Sequence, residues 1–295
     1  MQRYGTVAII GVGLIGGSIG LALRARGLAR WVIGIGRNEA RLANAERLGA
    51  IDAATTDIAR GVAEAEVTVV CTPVTRIADD VVQASQSGLA KMLVTDAGST
   101  KLKIVEAVES NPRACAAFVG AHPIAGSELK GAAHAQADLF EGRVCVLTPT
   151  ERTPADRLSR ARSFWMDLGC RIVEMDPEAH DKALALTSHL PHAVAAALAA
   201  SVPGELLPLA AGAYRDGTRV AGSDAALWAG IFCENRLPVL NALEAFHSRL
   251  DAFRNSLDAA DEDGIRAWWD AAHARRGLFD ELEPAPQTGR VDGRQ

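Results

Sequence analysis

No pair of cysteines in the 295-residue chain has CxxC spacing, and none of the five (Cys71, Cys115, Cys145, Cys170, Cys233) lies at a metal-like distance from a histidine. A zinc or iron–sulfur centre is therefore not expected, and no metal is assigned. The odd, scattered count argues against a disulfide framework and for a reducing, cytoplasmic setting. Cys71 and Cys145 sit inside apolar runs and read as buried free thiols. The N-terminus lacks the basic region and small-residue cleavage site of a secretory signal. Long apolar runs are missing too. The most apolar late stretch, residues 193–202, is bounded by Pro191 and by Pro203-Gly204, which leaves it too short to span a bilayer. Neither sign of charge dominates: 31 basic against 36 acidic residues give −5, which disfavours nucleic acid or an anionic membrane as a partner.

What is present is ordinary globular material, 48% hydrophobic and 23% charged, which excludes disorder over most of the length. At roughly 150 residues per domain the chain is expected to hold two. Short Val- and Ile-rich runs at residues 7–10, 31–35, 67–71, 92–95, 118–121, 144–147 and 171–173 read as strands, separated by stretches long enough for crossover helices. Most lack polar alternation, as strands covered on both faces do, which predicts a doubly wound, mostly parallel α/β sheet. From about Asp176 no strand pattern follows. Ala-rich helical stretches take over at 177–200, 205–213, 224–260 and 261–282. Asp176 is placed to cap the first of these with Pro177 at its first position, and Pro238 is expected to break or kink the third. The expected division is a dinucleotide-binding domain over 1–175, an all-helical domain over 176–283 and a disordered polar tail over 284–295.

The first strand runs into Gly11-Val12-Gly13-Leu14-Ile15-Gly16, which opens an apolar helix. Such glycines permit a tight turn, close approach of backbone to a pyrophosphate, and close helix–strand packing, while the helix N-terminus offers N–H groups and its dipole to the phosphates. Gly11, Gly13, Leu14, Ile15 and Gly16 are accordingly cofactor candidates, with Thr72 and Pro73 after the strand at 67–71. A strand-end carboxylate holding a ribose 2′-hydroxyl marks NAD binders. The second strand instead ends Ile35-Gly36-Arg37-Asn38, where Arg37 is placed to pair with a 2′-phosphate. NADP is the expected preference; the alternative is a solvated Arg37 with NAD accepted through looser contacts.

Three further segments stand where open α/β sheets bind ligands or carry clustered histidines: DAGSTK at 96–101, GAHPIAGSE at 120–128 and SHLPH at 188–192. Together with GVGLIGGSIG at 11–20 and YRDGTRVAGSD at 214–224, in this order and spacing, they resemble the prephenate and arogenate dehydrogenase family of tyrosine biosynthesis. The resemblance covers residues 5–280. It implies an N-terminal Rossmann-type domain, a helical domain that forms a homodimer, and oxidation of prephenate or arogenate by hydride transfer to a nicotinamide with loss of the ring carboxylate as CO2.

The resemblance also implies roles. His122 matches the family histidine at the ring hydroxyl, and a neutral imidazole suits a general base there. Ser99 matches a serine beside it, with a helix N-cap as the other reading. Arg219 matches the arginine that takes a substrate carboxylate, a task its fork suits; a surface ion pair is the bland alternative. Ser188, His189 and His192 fall in the segment that lines the substrate pocket. His192 stands at the end that differs between prephenate and arogenate, and resembles prephenate users; His189 reads equally as a buried structural residue. Glu128 matches the pocket mouth, with Ser127 before it as a further substrate-binding candidate; Asp216 and Trp228 match family positions near the pocket, though a tryptophan such as Trp228 is more often core than contact. Neither chain end is expected to hold an accessory domain. Two other readings remain. A β-hydroxyacid dehydrogenase or imine reductase would want a lysine in the helical half, where only Lys182 occurs. A catalytically dead dinucleotide sensor would have lost Ser99, His122 and Arg219.

Overall fold

The computed structural model describes residues 3–126 and 129–282. β1 (Tyr4–Ile10) turns into α1 (Leu14–Ala25), and β2 (Ala29–Ile35) leads to α2 (Glu39–Arg47). β3 (Ala53–Thr55), α3 (Ile58–Val62), β4 (Val67–Val70), α4 (Val74–Ser87) and β5 (Leu93–Asp96) follow. Next come α5 (Leu102–Glu109), α6 (Pro112–Ala117), β6 (Phe118–Pro123), β7 (Val144–Thr148), α7 (Ala155–Asp167) and β8 (Arg171–Glu174). The eight strands form one sheet of order β3-β2-β1-β4-β5-β6-β7-β8. Every neighbouring pair is parallel except β6 with β7.

Both faces are covered, which is why the strands read as unbroken apolar runs. In β1, Val7 and Ile9 point into a cluster with Ile19 and Leu23 of α1 and Phe164 and Trp165 of α7. Ala8 and Ile10 point the other way, against Ile77 and Val81 of α4 and Val105 of α5. Each such large aliphatic side chain contributes about 1.5–3 kcal/mol when fully buried. The seven strands expected from the sequence are all present. β3 was not expected, because three residues paired at the sheet edge through Ile33↔Ala53 to Ile35↔Thr55 give no periodic signal.

After β8 no further strand occurs among the described residues. α8 (Pro177–Leu184), a π-helical turn (Ala185–His189) and α9 (Leu190–Ser201) run on continuously. α10 (Gly212–Thr218), α11 (Ala225–Glu234), α12 (Arg236–Asp258) and α13 (Glu262–Leu282) complete the chain, with 3-10 turns at Gly204–Leu209 and Arg219–Gly222. Asp176 caps α8 as expected, accepting from Ala179 N at 2.8 Å with Pro177 in the first turn. The break expected from Pro238 falls at Asn235, so that the proline sits in the first turn of α12, where its missing N–H has no intrahelical partner to lose.

Pro191 does not cut the apolar segment, contrary to the sequence reading. It lies in the first turn of α9, and the preceding π turn carries the helix past it. The resulting stretch, Pro177–Ser201, is 25 residues long and contains an 18-residue window of mean hydropathy 1.4, enough by length and composition to cross a bilayer. Its polar groups His180, Asp181 and His189 are bonded to protein partners: His180 to His122, Asp181 to Lys101 N, and His189 to Asn235.

By packing the chain divides into two compact units, Met1–Val239 and Leu240–Gln295. The helices up to α11 group with the sheet because Asp181, His180 and Asn235 bond into it and to one another. In the second unit Trp268 packs on Phe253 with ring centroids 4.9 Å apart.

Candidate active site

The carboxyl ends of the parallel strands gather most of the candidates on one sheet edge. After β1, Gly11 has φ +94°, and a Cβ there would meet the Cys71 carbonyl carbon at 2.8 Å. At Gly16 a Cβ would lie 2.2 Å from the Gly11 carbonyl oxygen and 2.9 Å from Ile9. Only glycine lets α1 approach the sheet this closely. Gly13 faces open space within 4 Å of where its Cβ would be. α1 begins there with no side-chain cap and no acidic residue in its first turn. Free N–H groups, a positive dipole end and an open backbone fit a dinucleotide pyrophosphate. Leu14 and Ile15, half-buried, form the first turn. Beyond β4, the Thr72 hydroxyl donates to Asp80 at 2.7 Å, and Pro73 opens α4. At the end of β2, Arg37 is exposed, and the first acid is Glu39, already inside α2.

The chemistry-bearing end lies on β5 and β6. The Asp96 carboxylate is fully buried; it accepts from Gly98 N and Ala121 N, both at 2.9 Å, and pairs with the fully buried Lys101 ammonium. This network pins the turn that carries Ser99 to the strand that carries His122. Ser99 is half-buried in that turn. It does not cap α5: the first amides there, Lys101 N and Leu102 N, donate to the Asp181 carboxylate at 2.7 and 3.0 Å. His122 sits in register with Val146 near the end of β6. Its Nδ1 lies 2.9 Å from His180 Nε2, and His180 Nδ1 lies 2.8 Å from Asp181 Oδ1. Nε2 of His122 makes no hydrogen bond among the described residues. Burial, then the charges of His180, Lys101 and His189, hold the His122 pKa well below the ordinary imidazole value. The imidazole is therefore neutral near pH 7, as a base must be.

Helical segments complete the neighbourhood. His189 is buried, with Nδ1 3.0 Å from Asn235 Nδ2, and burial lowers its pKa to about 4. His192 stacks on Trp228 with centroids 3.7 Å apart, and its Nδ1 is 2.9 Å from the Ser188 carbonyl. Burial lowers the His192 pKa, and the nearby Arg219 charge adds to the effect. Arg219 is exposed and lines an open groove of about 460 Å³ with Tyr214, Arg215 and Thr218. Ser127 and Glu128 lie outside the described residues, as does the expected tail. No group of three metal-ligating side chains occurs among the described residues. All five cysteines are free, with Cys145 buried as expected and Cys71 half-buried.

Sequence reasoning missed His180, Asp181, Asn235 and the Asp96–Lys101 pair. An acid and a base five apart around a strand-to-helix turn is the one local signal for that pair; the others meet only in three dimensions.

A Rossmann-type sheet, a glycine cradle open at an uncapped helix start and a neutral histidine on the same edge define a nicotinamide-dependent oxidoreductase. The family model for the prephenate dehydrogenase nucleotide-binding domain matches residues 19–174, and that for its dimerization domain matches 176–270. The chain is 33% identical to a Bacillus subtilis prephenate dehydrogenase over 92% of its own length and 75% of that protein. It is 35% identical to a Zymomonas mobilis cyclohexadienyl dehydrogenase over 89% and 92%. Prephenate dehydrogenase from A. aeolicus, solved with hydroxyphenyl propionate and NAD+, superposes with a TM-score of 0.87 at 33% identity, covering 95% of this chain and 98% of that one. The chain belongs to the prephenate dehydrogenase family.

Proposed function

We propose that the protein is a homodimeric, cytoplasmic enzyme that converts prephenate to 4-hydroxyphenylpyruvate and CO2, with arogenate as the alternative or additional substrate. The observation that carries this reading is His122: neutral, backed by His180, with no partner at Nε2 among the described residues, on the edge that also holds the glycine cradle. Bound NADP or NAD supplies the hydride acceptor. His122 Nε2 takes the proton of the ring hydroxyl as the hydride leaves the same carbon, and Ser99 orients that hydroxyl. Loss of the ring carboxylate then completes an aromatic ring. General-base assistance of this kind is typically worth about 10²–10⁴ in rate.

Arg219 takes a substrate carboxylate through its guanidinium fork, with Ser188, His189, Ser127 and Glu128 as the further pocket residues. His192, held against Trp228, faces the side-chain end and favours the keto acid. Arg37, with no carboxylate at the β2 end, favours a 2′-phosphate and hence NADP; the glycine residues 11, 13 and 16 with Leu14, Ile15, Thr72 and Pro73 hold the rest of the dinucleotide. We keep the domain boundary at 175/176. Dimerisation through the helical half accords with its exposed Leu206, Leu207 and Leu209, the last 81% accessible, since such apolar side chains favour burial against a partner.

The test is formation of reduced nicotinamide with prephenate and with arogenate, each with NADP and with NAD, in wild type and Arg37→Ala. Prephenate-dependent activity with NADP, and an Arg37→Ala loss confined to NADP, support the reading. Arogenate-only activity overturns the His192 assignment, and a strong wild-type NAD preference overturns that of Arg37.

A further inference from the structure

We infer that His180 and Asp181 form a positioning pair that fixes the tautomer of His122 and holds its charge once it has taken a proton. The inference rests on the reading of His122 as the base. Hydrogen-bond chemistry leaves one consistent assignment along the chain of groups. The Asp181 carboxylate only accepts, and besides His180 it already receives Lys101 N and Leu102 N. His180 therefore carries its proton on Nδ1 and donates it to Asp181 Oδ1. Neutral His180 then presents a lone pair at Nε2, so the 2.9 Å contact is a donation from His122 Nδ1–H. His122 is left with its lone pair on Nε2, the nitrogen without a partner among the described residues. The opposite tautomer would set two lone pairs or two N–H groups against each other at the His122–His180 contact.

Placement of the pair is over-determined. His180 is 0% exposed and Asp181 2%, so the bond between them is not exchanged with water. Asn235 Nδ2 donates to the Asp181 backbone carbonyl at 2.7 Å. The same amide group donates to His189 Nδ1, so neutral His189 bears its proton on Nε2, the reverse of His122. The charged groups facing this block are Lys101 at the start of α5, paired with Asp96 of β5, and Asp181 itself. When His122 Nε2 takes the hydroxyl proton, the O–H bond breaks and the N–H bond forms. The imidazolium keeps Nδ1–H in its bond to His180, whose Nδ1–H polarises toward the Asp181 carboxylate. No proton has to leave His122 during the step, and His180 returns unchanged.

Two measurements test this. Long-range proton–nitrogen NMR on enzyme labelled with ¹⁵N-histidine, with His122 assigned from His122→Asn, reads the tautomer in the wild-type protein. A protonated Nδ1 and a lone-pair Nε2 on His122 are expected; a proton on Nε2 overturns the inference. Second, His180→Phe removes the acceptor, and kcat is expected to fall about 10–100-fold, below the full loss of a base, with both KM values within about threefold. His180→Gln, whose amide oxygen accepts from His122 Nδ1–H, is expected to recover most of that loss, a recovery that a purely space-filling role for His180 would not give. Should His180→Phe fail to fold, the wild-type spectrum and the Gln variant still decide. If His122→Asn is inactive while His180→Phe turns over within about twofold of wild type, the positioning role alone falls. If His122→Asn is itself fully active, the base assignment falls and takes the pair's role with it.

Discussion

Replacing Lys101 by methionine keeps a chain of similar volume at a fully buried position and removes only its charge. Asp96, equally buried, then keeps its bonds from Gly98 N and Ala121 N but loses its cation. Leaving one partner of a buried pair uncompensated typically costs about 3–5 kcal/mol, and the two retained amide bonds place this case near the lower figure, about 3 kcal/mol. For a folding unit of this size each kcal/mol moves the midpoint by about 2–4 °C, so Lys101→Met should lower Tm by about 6–12 °C. Thermal unfolding by near-ultraviolet circular dichroism, at one scan rate for all variants, measures it. Asp96→Asn added to Lys101→Met removes the stranded charge and should return much of the lost Tm. A Lys101→Met midpoint within about 2 °C of wild type, less than a single kcal/mol would give, would refute the reasoning.

Gly16→Ala drives a Cβ into the Gly11 carbonyl, so the turn must open; cofactor affinity should fall at least about tenfold, read by nucleotide titration. Arg219→Ala should raise the substrate KM by about tenfold or more while leaving Tm unchanged, since the side chain is exposed. Because burial depresses the His122 pKa, kcat/KM should hold as pH falls through 6.5 and decline only well below it, as a pH–rate profile shows. Stability behaves differently. The unfolded chain protonates His189 near 6.5 but the folded one only near 4, so acidification across that window favours unfolding, by roughly 3 kcal/mol from this residue, and Tm should drop there.

Periodicity and chain punctuation made the sheet legible: unbroken apolar runs marked strands buried on both faces, and Asp176-Pro177 marked the start of α8. β3 escaped because three edge residues carry no period. Pro191 misled because a proline in a first turn, behind a π turn, interrupts nothing. Within the site, the glycines and His122 announced themselves by strand-end position. His180 and Asp181 did not, since they reach the site only because α8 is laid across the start of α5 and the end of β6, a placement that no local pattern encodes.

The most direct test of the central claim is the steady-state rate of nicotinamide reduction with prephenate for wild type beside His122→Asn. Wild-type turnover that falls about 10²–10⁴-fold in the variant, with nucleotide affinity unchanged, is the expected result. Undiminished turnover in His122→Asn, or a wild-type enzyme silent with prephenate, would contradict it.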